Sequence, residues 1–216
     1  MFSKKEFFGL NEEEIKIFKK YNSPSKIQDF LDSLKINFEE EGKDTCMSPK
    51  MVLKSGKAHC MEGAIIAAAM LRFHGYPPLL LDLEATPEDF DHVVTLFKIE
   101  GFWGALGKTN HGVLRYREPV YRDIRELVMS FFHEYFLNKN GKKTLRAYAG
   151  PIDLKRFDNL NWIGSEEEVW FIPEYLANVK HIQILTKKQI KNLRLAHPIE
   201  IEAGKIVEHK YYNEKN

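Results

Sequence analysis

The first third of the chain has apolar residues at helical spacing, followed by a polar segment. Residues 11 to 21, NEEEIKIFKKY, begin with an Asn and three acids and predict a first helix. The segment SPSKIQDFLDSL predicts a second helix, for which Ser23 or Ser25 can serve as the N-cap. Residues 37 to 58 contain Gly, Pro and Ser without clear periodicity, so we expect a loop there with one short helix near Met51.

The middle of the chain predicts a buried helix followed by three strands. The segment from Cys60 to Phe73 is apolar nearly all round, which is typical of a buried helix, and Gly75 with the following Pro77 ends it. The sequence PLLLDLEA then predicts a central strand. HVVTLFKI and FWGALGKT are separated by a tight EG turn and predict a hairpin over residues 92 to 109.

The last third of the chain has weaker signals. Residues 121 to 137 place apolar side chains on one stripe and predict a helix that faces the core. TLRAYAG and HIQIL predict strands, and SEEEVWFIPEYL predicts a helix whose capping box is Ser165 and Glu168. The polar tail from Lys187 is expected to be partly frayed.

Length and composition favour one domain, and the periodicity of the predicted helices and strands indicates the α+β class. The 216 residues are 44% apolar, enough for one sizeable core, and no linker or repeat divides them. We expect a single domain over residues 1–216, with an N-terminal helical lobe of about 1–55, a core of about 56–140 and a C-terminal extension of about 141–216.

Charge and apolar runs limit the possible partners and the compartment. The 32 basic residues nearly cancel the 31 acidic ones, so the chain as a whole does not predict binding to nucleic acid or to an anionic membrane. No run has the length of a transmembrane helix, and the N-terminus lacks the apolar stretch of a signal peptide. We therefore expect a cytoplasmic protein in which Cys46 and Cys60 are free thiols.

Cys60 stands where a thiol can become a nucleophile. At the start of a helix, the free backbone N–H groups and the positive end of the helix dipole favour the thiolate. The Cys60 N–H can also point at a developing oxyanion. Such a nucleophile needs an imidazole within reach, and His92, the first residue of a predicted strand, is the candidate.

The order of these residues resembles the core of the transglutaminase-like branch of the papain-like cysteine enzymes. The resemblance covers GKAHCMEGAIIAAAMLRFHGYPPLLL and DFDHVVTLFKIEGFWGALGKT, roughly residues 45 to 115. It makes Cys60 the nucleophile, His92 the base and Trp103 part of the strand before the third catalytic residue. Where that family has an orienting Asp, this chain has Gly107.

The amide of Asn110, three positions after Gly107, is the candidate for the missing third member, because an Asn can accept a hydrogen bond from an imidazole. The resemblance implies a central helix bearing Cys60, packed on a mostly antiparallel sheet. It also implies acyl transfer on a peptide or small amide, by hydrolysis or by transfer to an amine, with no cofactor or metal. It implies nothing about the oligomeric state.

Each of these residues also has a structural interpretation. Cys60 can be a buried thiol, His92 a strand-end histidine bonded to backbone, and Asn110 a turn residue. Glu62, in the first turn of the same helix, complements the helix dipole but would oppose a nearby thiolate. The Gly107 departure favours an alternative function, a catalytically inactive transglutaminase-like binding or scaffold module.

Two other kinds of site have little support in the sequence. The cysteines and histidines have neither C-x-x-C nor H-E-x-x-H spacing, so a metal site is not predicted. The arginines between positions 115 and 125 can bind an anionic group, but pairing with the neighbouring acids is the simpler expectation.

Overall fold

A computed structural model describes residues 7–39 and 43–210. The helices are α1 (Glu12–Lys20), α2 (Pro24–Ser33), α3 (Pro49–Ser55), α4 (Cys60–Phe73), α5 (Ile124–Phe132), α6 (Phe171–Asn178), α7 (Lys187–Lys191) and α8 (Pro198–Gly204). The strands are β1 (Lys35–Ile36), β2 (Lys57–Ala58), β3 (Leu79–Glu84), β4 (His92–Ile99), β5 (Phe102–Leu106), β6 (Arg117–Tyr121), β7 (Ala147–Asp153) and β8 (Ile182–Gln183). Short 3-10 turns cover Phe7–Gly9 and Leu154–Leu160.

Local sequence signals explain the helix starts in the N-terminal region. Asn11 caps α1 in a capping box with Glu14. Ser23 caps α2, followed by a proline at the first helical position, and Ser48 does the same for α3. The two predicted helices and the short helix near Met51 are therefore confirmed.

The helix that begins at Cys60 has the predicted limits. α4 runs from Cys60 to Phe73, and most of its residues are buried. Gly75 adopts φ +91°, which glycine tolerates, and Tyr76 donates its N–H to the Leu71 carbonyl at 3.0 Å, closing the last turn.

Six strands form one antiparallel sheet in the order β6-β5-β4-β3-β7-β8. The predicted hairpin is β4 and β5, and its turn residues Glu100 and Gly101 both have positive φ, at 49° and 89°. β7 pairs with the central strand β3, so the predicted C-terminal extension contributes to this sheet. β1 and β2 form a separate parallel pair. The molecule is therefore a mixed α+β protein.

The sheet has an apolar core on each face. Val93 and Phe97 of β4 belong to the core that includes α4 and the N-terminal helices. On this face Thr95 Oγ1 also donates to the Ala64 carbonyl of α4 at 2.5 Å. Val94 and Leu96 belong to the second core, which contains the apolar side of α5. The helix bearing Cys60 is thus fixed on the strand that begins with His92.

Several predictions for the last third differ from the structure. α5 ends at Phe132 rather than at residue 137, because the chain leaves the helix through i→i−3 hydrogen bonds and Tyr135 donates its hydroxyl to the Phe90 carbonyl. Residues 117–121 form the edge strand β6, which the pattern did not predict. The described part of the polar tail, up to residue 210, contains the short helices α7 and α8, and the rest of the tail predicted to fray lies outside the described residues.

The capping box predicted for Ser165 and Glu168 is wrong. Ser165 bonds the backbone of Glu167, and the Glu168 carboxylate accepts the Cys46 N–H at 3.3 Å and the Trp170 Nε1–H at 2.7 Å. Because both side chains are used elsewhere, α6 begins only at Phe171.

No helix within residues 7–39 and 43–210 combines the length and apolar character needed to cross a lipid bilayer.

Candidate active site

His59 fixes the start of the helix that carries Cys60. Its Nδ1 accepts the Met61 N–H at 3.2 Å, and Glu62 accepts the His59 N–H at 3.0 Å, which together form a capping box. A residue outside the helix also holds the ring, because its Nε2 lies 2.9 Å from the Thr45 carbonyl. Among the described residues the Cys60 N–H has no hydrogen-bond partner, as expected in a first helical turn.

Glu62 connects this helical turn to the polar segment before α3. Its carboxylate is fully buried and accepts the Met47 N–H at 3.0 Å, the Thr45 hydroxyl at 2.9 Å and the Asn37 amide at 3.1 Å. A buried carboxylate needs such partners, since an unpaired one is strongly destabilising. Glu62 therefore has a structural role that its bonds explain fully.

Gly63 allows the end of the hairpin to reach the first turn of α4. A Cβ at this position would lie 2.4 Å from the Cβ of Lys108, so only glycine permits the approach. Lys108 is itself fully buried and donates its Nζ to the Leu34 carbonyl at 2.6 Å. This contact sets the distance between Cys60 and the segment that follows β5.

His92 opens β4 and is 5% exposed. Its Nε2 lies 3.1 Å from the backbone carbonyl of Leu114. Because a carbonyl oxygen only accepts, Nε2 must carry the hydrogen, and a neutral ring then has its lone pair on Nδ1. The ring is thus held in the tautomer that can accept a proton at Nδ1.

The surroundings of Cys60 favour the thiolate. Burial raises the pKa of the Cys60 thiol, but hydrogen bonding to His59 and His92 and the positive charge of both rings outweigh burial and bring the pKa down to about 5. The structure therefore brings Cys60 and His92 together and adds a second imidazole that the sequence did not single out.

The charge on His59 is coupled to the Cys60 proton. Burial lowers the pKa of His59, but its hydrogen bond with Cys60 and the charge of Glu62 raise the pKa to about 9. Carboxylate oxygens of Glu39 and Glu62 lie 3.5 Å from its Nε2. Only a neutral ring can accept the Met61 N–H at Nδ1, so a protonated ring would release that bond and pair with the thiolate instead.

Asn110 does not orient the ring of His92. Its amide group donates to the His209 carbonyl at 2.8 Å and accepts the His209 N–H at 2.9 Å, so both ends of the side chain bind the C-terminal segment. Asn110 lines the same cleft as Cys60, but the Leu114 carbonyl occupies the place predicted for its side chain.

Position 107, where the resemblance places an orienting Asp, lies beside the imidazole. A Cβ on Gly107 would be 3.3 Å from His92 Nε2 and 3.3 Å from the Leu114 carbonyl oxygen. Gln28 binds the backbone of Gly107 from the other side, donating to its carbonyl at 2.9 Å and accepting its N–H at 3.1 Å. The space of a third side chain is thus filled by a backbone carbonyl.

The three predicted site residues, Cys60, His92 and Asn110, line a cleft of about 310 Å³. Polar groups line one part of it, and apolar side chains of Val113, Phe136 and Leu137 line another. Phe90 lines the same cleft with 90% of its surface exposed, so a large aromatic ring is available to a bound molecule there. A cleft of this size and mixed lining fits a small part of a substrate.

The other candidate residues have structural surroundings. Cys46 is buried, at 1% exposure, and is not part of the cleft. The arginines near β6 bind acids or backbone: Arg115 pairs with Asp32 and Glu208, and Arg117 pairs with Glu134. In the described part of the chain, no group of three or more His, Cys, Asp or Glu side chains is placed to hold a metal ion.

Sequence reasoning missed two contributors to this site. His59 had a detectable signal, since it stands three residues before Glu62 at the start of an apolar helix, in the spacing of a capping box. Leu114 had none, because it contributes a backbone carbonyl, which every residue possesses.

Comparison of the sequence with protein-family models and with curated proteins finds no match. The resemblance to transglutaminase-like enzymes therefore rests on the order of residues in this chain alone.

Proposed function

We propose that this protein is a cysteine-dependent acyl-transfer enzyme with a transglutaminase-like core, acting on the amide bond of a peptide or small amide. The observation that carries the proposal is the pairing of Cys60, at the N-terminus of α4, with His92, whose Nε2 is anchored 3.1 Å from a carbonyl. This is the arrangement of nucleophile, base and orienting acceptor that nucleophilic catalysis requires.

In the first half-reaction the Cys60 thiolate attacks the amide carbonyl carbon. The C–S bond forms as the carbonyl π electrons move to oxygen, and the free Cys60 N–H can donate to that oxyanion. When the C–N bond breaks, His92 Nδ1–H gives its proton to the departing amine. The products are a thioester on Cys60 and a free amine.

In the second half-reaction His92 acts as a base. Water or an acceptor amine gives a proton to Nδ1 and attacks the thioester carbon, and the C–S bond breaks to return the thiolate. A Cys60 pKa of about 5 supports both halves, because the thiolate is the nucleophile first and the leaving group afterwards.

An activated ester tests the proposal without knowledge of the substrate. With p-nitrophenyl acetate we expect a burst of p-nitrophenolate equal to the enzyme concentration, and intact-protein and peptide mass spectrometry should place the acetyl group on Cys60. Release of the acetyl group should be much slower in His92→Gln, because deacylation needs the base. Adding an alkylamine should show whether water or an amine accepts the acyl group.

Two control variants and two possible outcomes make the test decisive. Cys60→Ser should lose the burst, and Cys46→Ala should keep it. A Cys60 that is not acetylated faster than an ordinary thiol, or that keeps its acetyl group as long in the wild type as in His92→Gln, would support the binding or scaffold module instead.

A further inference from the structure

The backbone of Leu114 is held in an unusual conformation at the point where it meets His92. Leu114 has φ +62°, a left-handed conformation that is uncommon for residues other than glycine, asparagine and aspartate. Such a conformation persists only where the surroundings enforce it. Both polar backbone groups of Leu114 are engaged: its carbonyl accepts from His92 Nε2 at 3.1 Å, and its N–H donates to Glu134 Oε2 at 2.8 Å.

Glu134 is itself fixed by Arg117. The same Oε2 accepts from the Arg117 guanidinium at 2.5 Å, and the side chains of Arg117 and Glu134 are 13% and 34% exposed. Arg117 is anchored in turn by the Ser130 hydroxyl at 3.0 Å and lies over the Phe131 ring, 4.1 Å from its centroid. The carboxylate that holds Leu114 therefore has little freedom to move.

Other contacts hold the chain on either side of Leu114. Gly112 donates its N–H to the Ile206 carbonyl at 2.9 Å, and Arg115 binds Asp32 and Glu208, each at 3.1 Å. Removing the Glu134 carboxylate should thus release Leu114 locally while the rest of the segment stays in place.

We propose that Glu134 is a positioning residue that acts through the backbone of Leu114 to fix the orientation and tautomer of His92. Its charge-assisted bond to the Leu114 N–H holds φ in the left-handed region, and this conformation directs the Leu114 carbonyl at Nε2. The His92–Leu114 bond then keeps the hydrogen on Nε2 and the lone pair on Nδ1, facing the thiol. Glu134, which also lines the cleft, is linked to His92 through one residue and thereby replaces the missing carboxylate at position 107. The catalytic consequence rests on the proposed function, but the effect on His92 does not.

The test compares two substitutions at one position. Glu134→Met keeps the length of the side chain and removes the acceptor, whereas Glu134→Gln keeps a carbonyl oxygen that can accept the Leu114 N–H. Glu126→Ala is the matched control, because it removes an acid of α5 whose partners are the backbone N–H and guanidinium of Arg122.

The primary readout is ¹⁵N NMR of the histidine rings, with His92 assigned by its loss in His92→Gln. We expect Glu134→Met to reduce the Nε2–H tautomer of His92 and to lower the rate of Cys60 alkylation at about pH 6 by roughly tenfold, the loss of thiolate that a Cys60 pKa higher by about two would give. Glu134→Gln should keep most of both signals, and Glu126→Ala should change neither.

Unchanged His92 signals in Glu134→Met would overturn the proposal, and so would a Glu134→Gln variant that behaves like Glu134→Met. If Glu134→Met unfolds because Arg117 is left unpaired, the double variant Arg117→Met/Glu134→Met removes the stranded charge and gives the same two outcomes. A protein whose His92 responds to Glu134 but whose Cys60 never turns over an ester would contradict the proposed function and leave this inference standing.

Discussion

Each of the two cysteines of this chain stands next to a residue that bonds Glu62, yet the pKa values of the two thiols are shifted in opposite directions. Cys46 precedes Met47 and Cys60 follows His59, and both of these neighbours donate a backbone N–H to Glu62. Burial raises the pKa of Cys46, and the charges of Glu62 and Glu168 raise it further, to about 12. Burial also raises the pKa of Cys60, yet the two imidazoles bring it to about 5.

This difference shows that burial does not decide whether a thiol is reactive. Desolvation has the same sign at both positions, so the sign of the neighbouring charge makes the difference: carboxylates surround Cys46, and imidazoles surround Cys60. The prediction that Cys60, and not Cys46, is the nucleophile has this physical basis. Four substitutions test this difference between the two thiols.

The largest effect is expected from His92→Gln. Without the imidazole of His92 the pKa of Cys60 should rise toward that of an ordinary thiol, about 8.5. We expect the rate of iodoacetamide alkylation of Cys60 at about pH 6 to fall roughly a hundredfold. At about pH 9.5, where an ordinary thiol is ionised, the variant should approach the wild-type rate, and a deficit that persists there would mean that Cys60 has become inaccessible instead.

A smaller effect is expected from His59→Asn. Asparagine is a good N-cap, so this change removes the imidazole while it keeps an acceptor for the first turn of α4. Alkylation of Cys60 at about pH 6 should fall by roughly tenfold, with the unfolding temperature nearly unchanged. If the unfolding temperature falls and the pH profile does not move, His59 is only a cap.

Gly107→Ala should have a modest effect on the same rate. The added Cβ would lie 3.3 Å from His92 Nε2 and from the Leu114 carbonyl, so the two groups must move apart by a few tenths of an ångström. Because a misplacement of about 1 Å can cost about a hundredfold, we expect a loss of roughly threefold in the rate of Cys60 alkylation. A rate equal to that of the wild type would argue against a role for the His92–Leu114 bond.

The smallest effect on reactivity is expected from Cys46→Ala. Cys46 is buried away from the cleft, so its removal should leave the pH profile of Cys60 unchanged and lower the free energy of unfolding by about 1 kcal/mol. Chemical denaturation measures the second quantity. A change in the Cys60 profile would show that the two thiols are coupled.

Much of the fold could be predicted where local signals and tertiary structure agree. Gly75 and the following prolines gave α4 its end, and the EG turn gave the hairpin its register. β6 was missed because none of its residues is fully buried and Arg117 stands among arginines that were interpreted as a charged surface. α5 was predicted too long because a tertiary contact of Tyr135, not a Gly or Pro, ends the helical bonding.

The site could be predicted only in part. Cys60 and His92 carry functional side chains whose types and positions are visible in a sequence. Asn110 was assigned by counting along the chain, and its partner His209 lies 99 positions further on, beyond the reach of any local pattern. The group that orients His92 is a backbone carbonyl, so no side-chain motif could reveal it.

The pH dependence of alkylation of both cysteines in one sample tests directly whether Cys60 is a thiolate at neutral pH. Peptide mass spectrometry after timed exposure to iodoacetamide gives a separate rate for Cys46 and for Cys60 at each pH. We expect a Cys60 rate that rises through about pH 5 and then stays level, and a Cys46 that remains unmodified until the protein unfolds. A Cys60 whose rate rises only near pH 8.5, as for an ordinary thiol, would contradict this expectation.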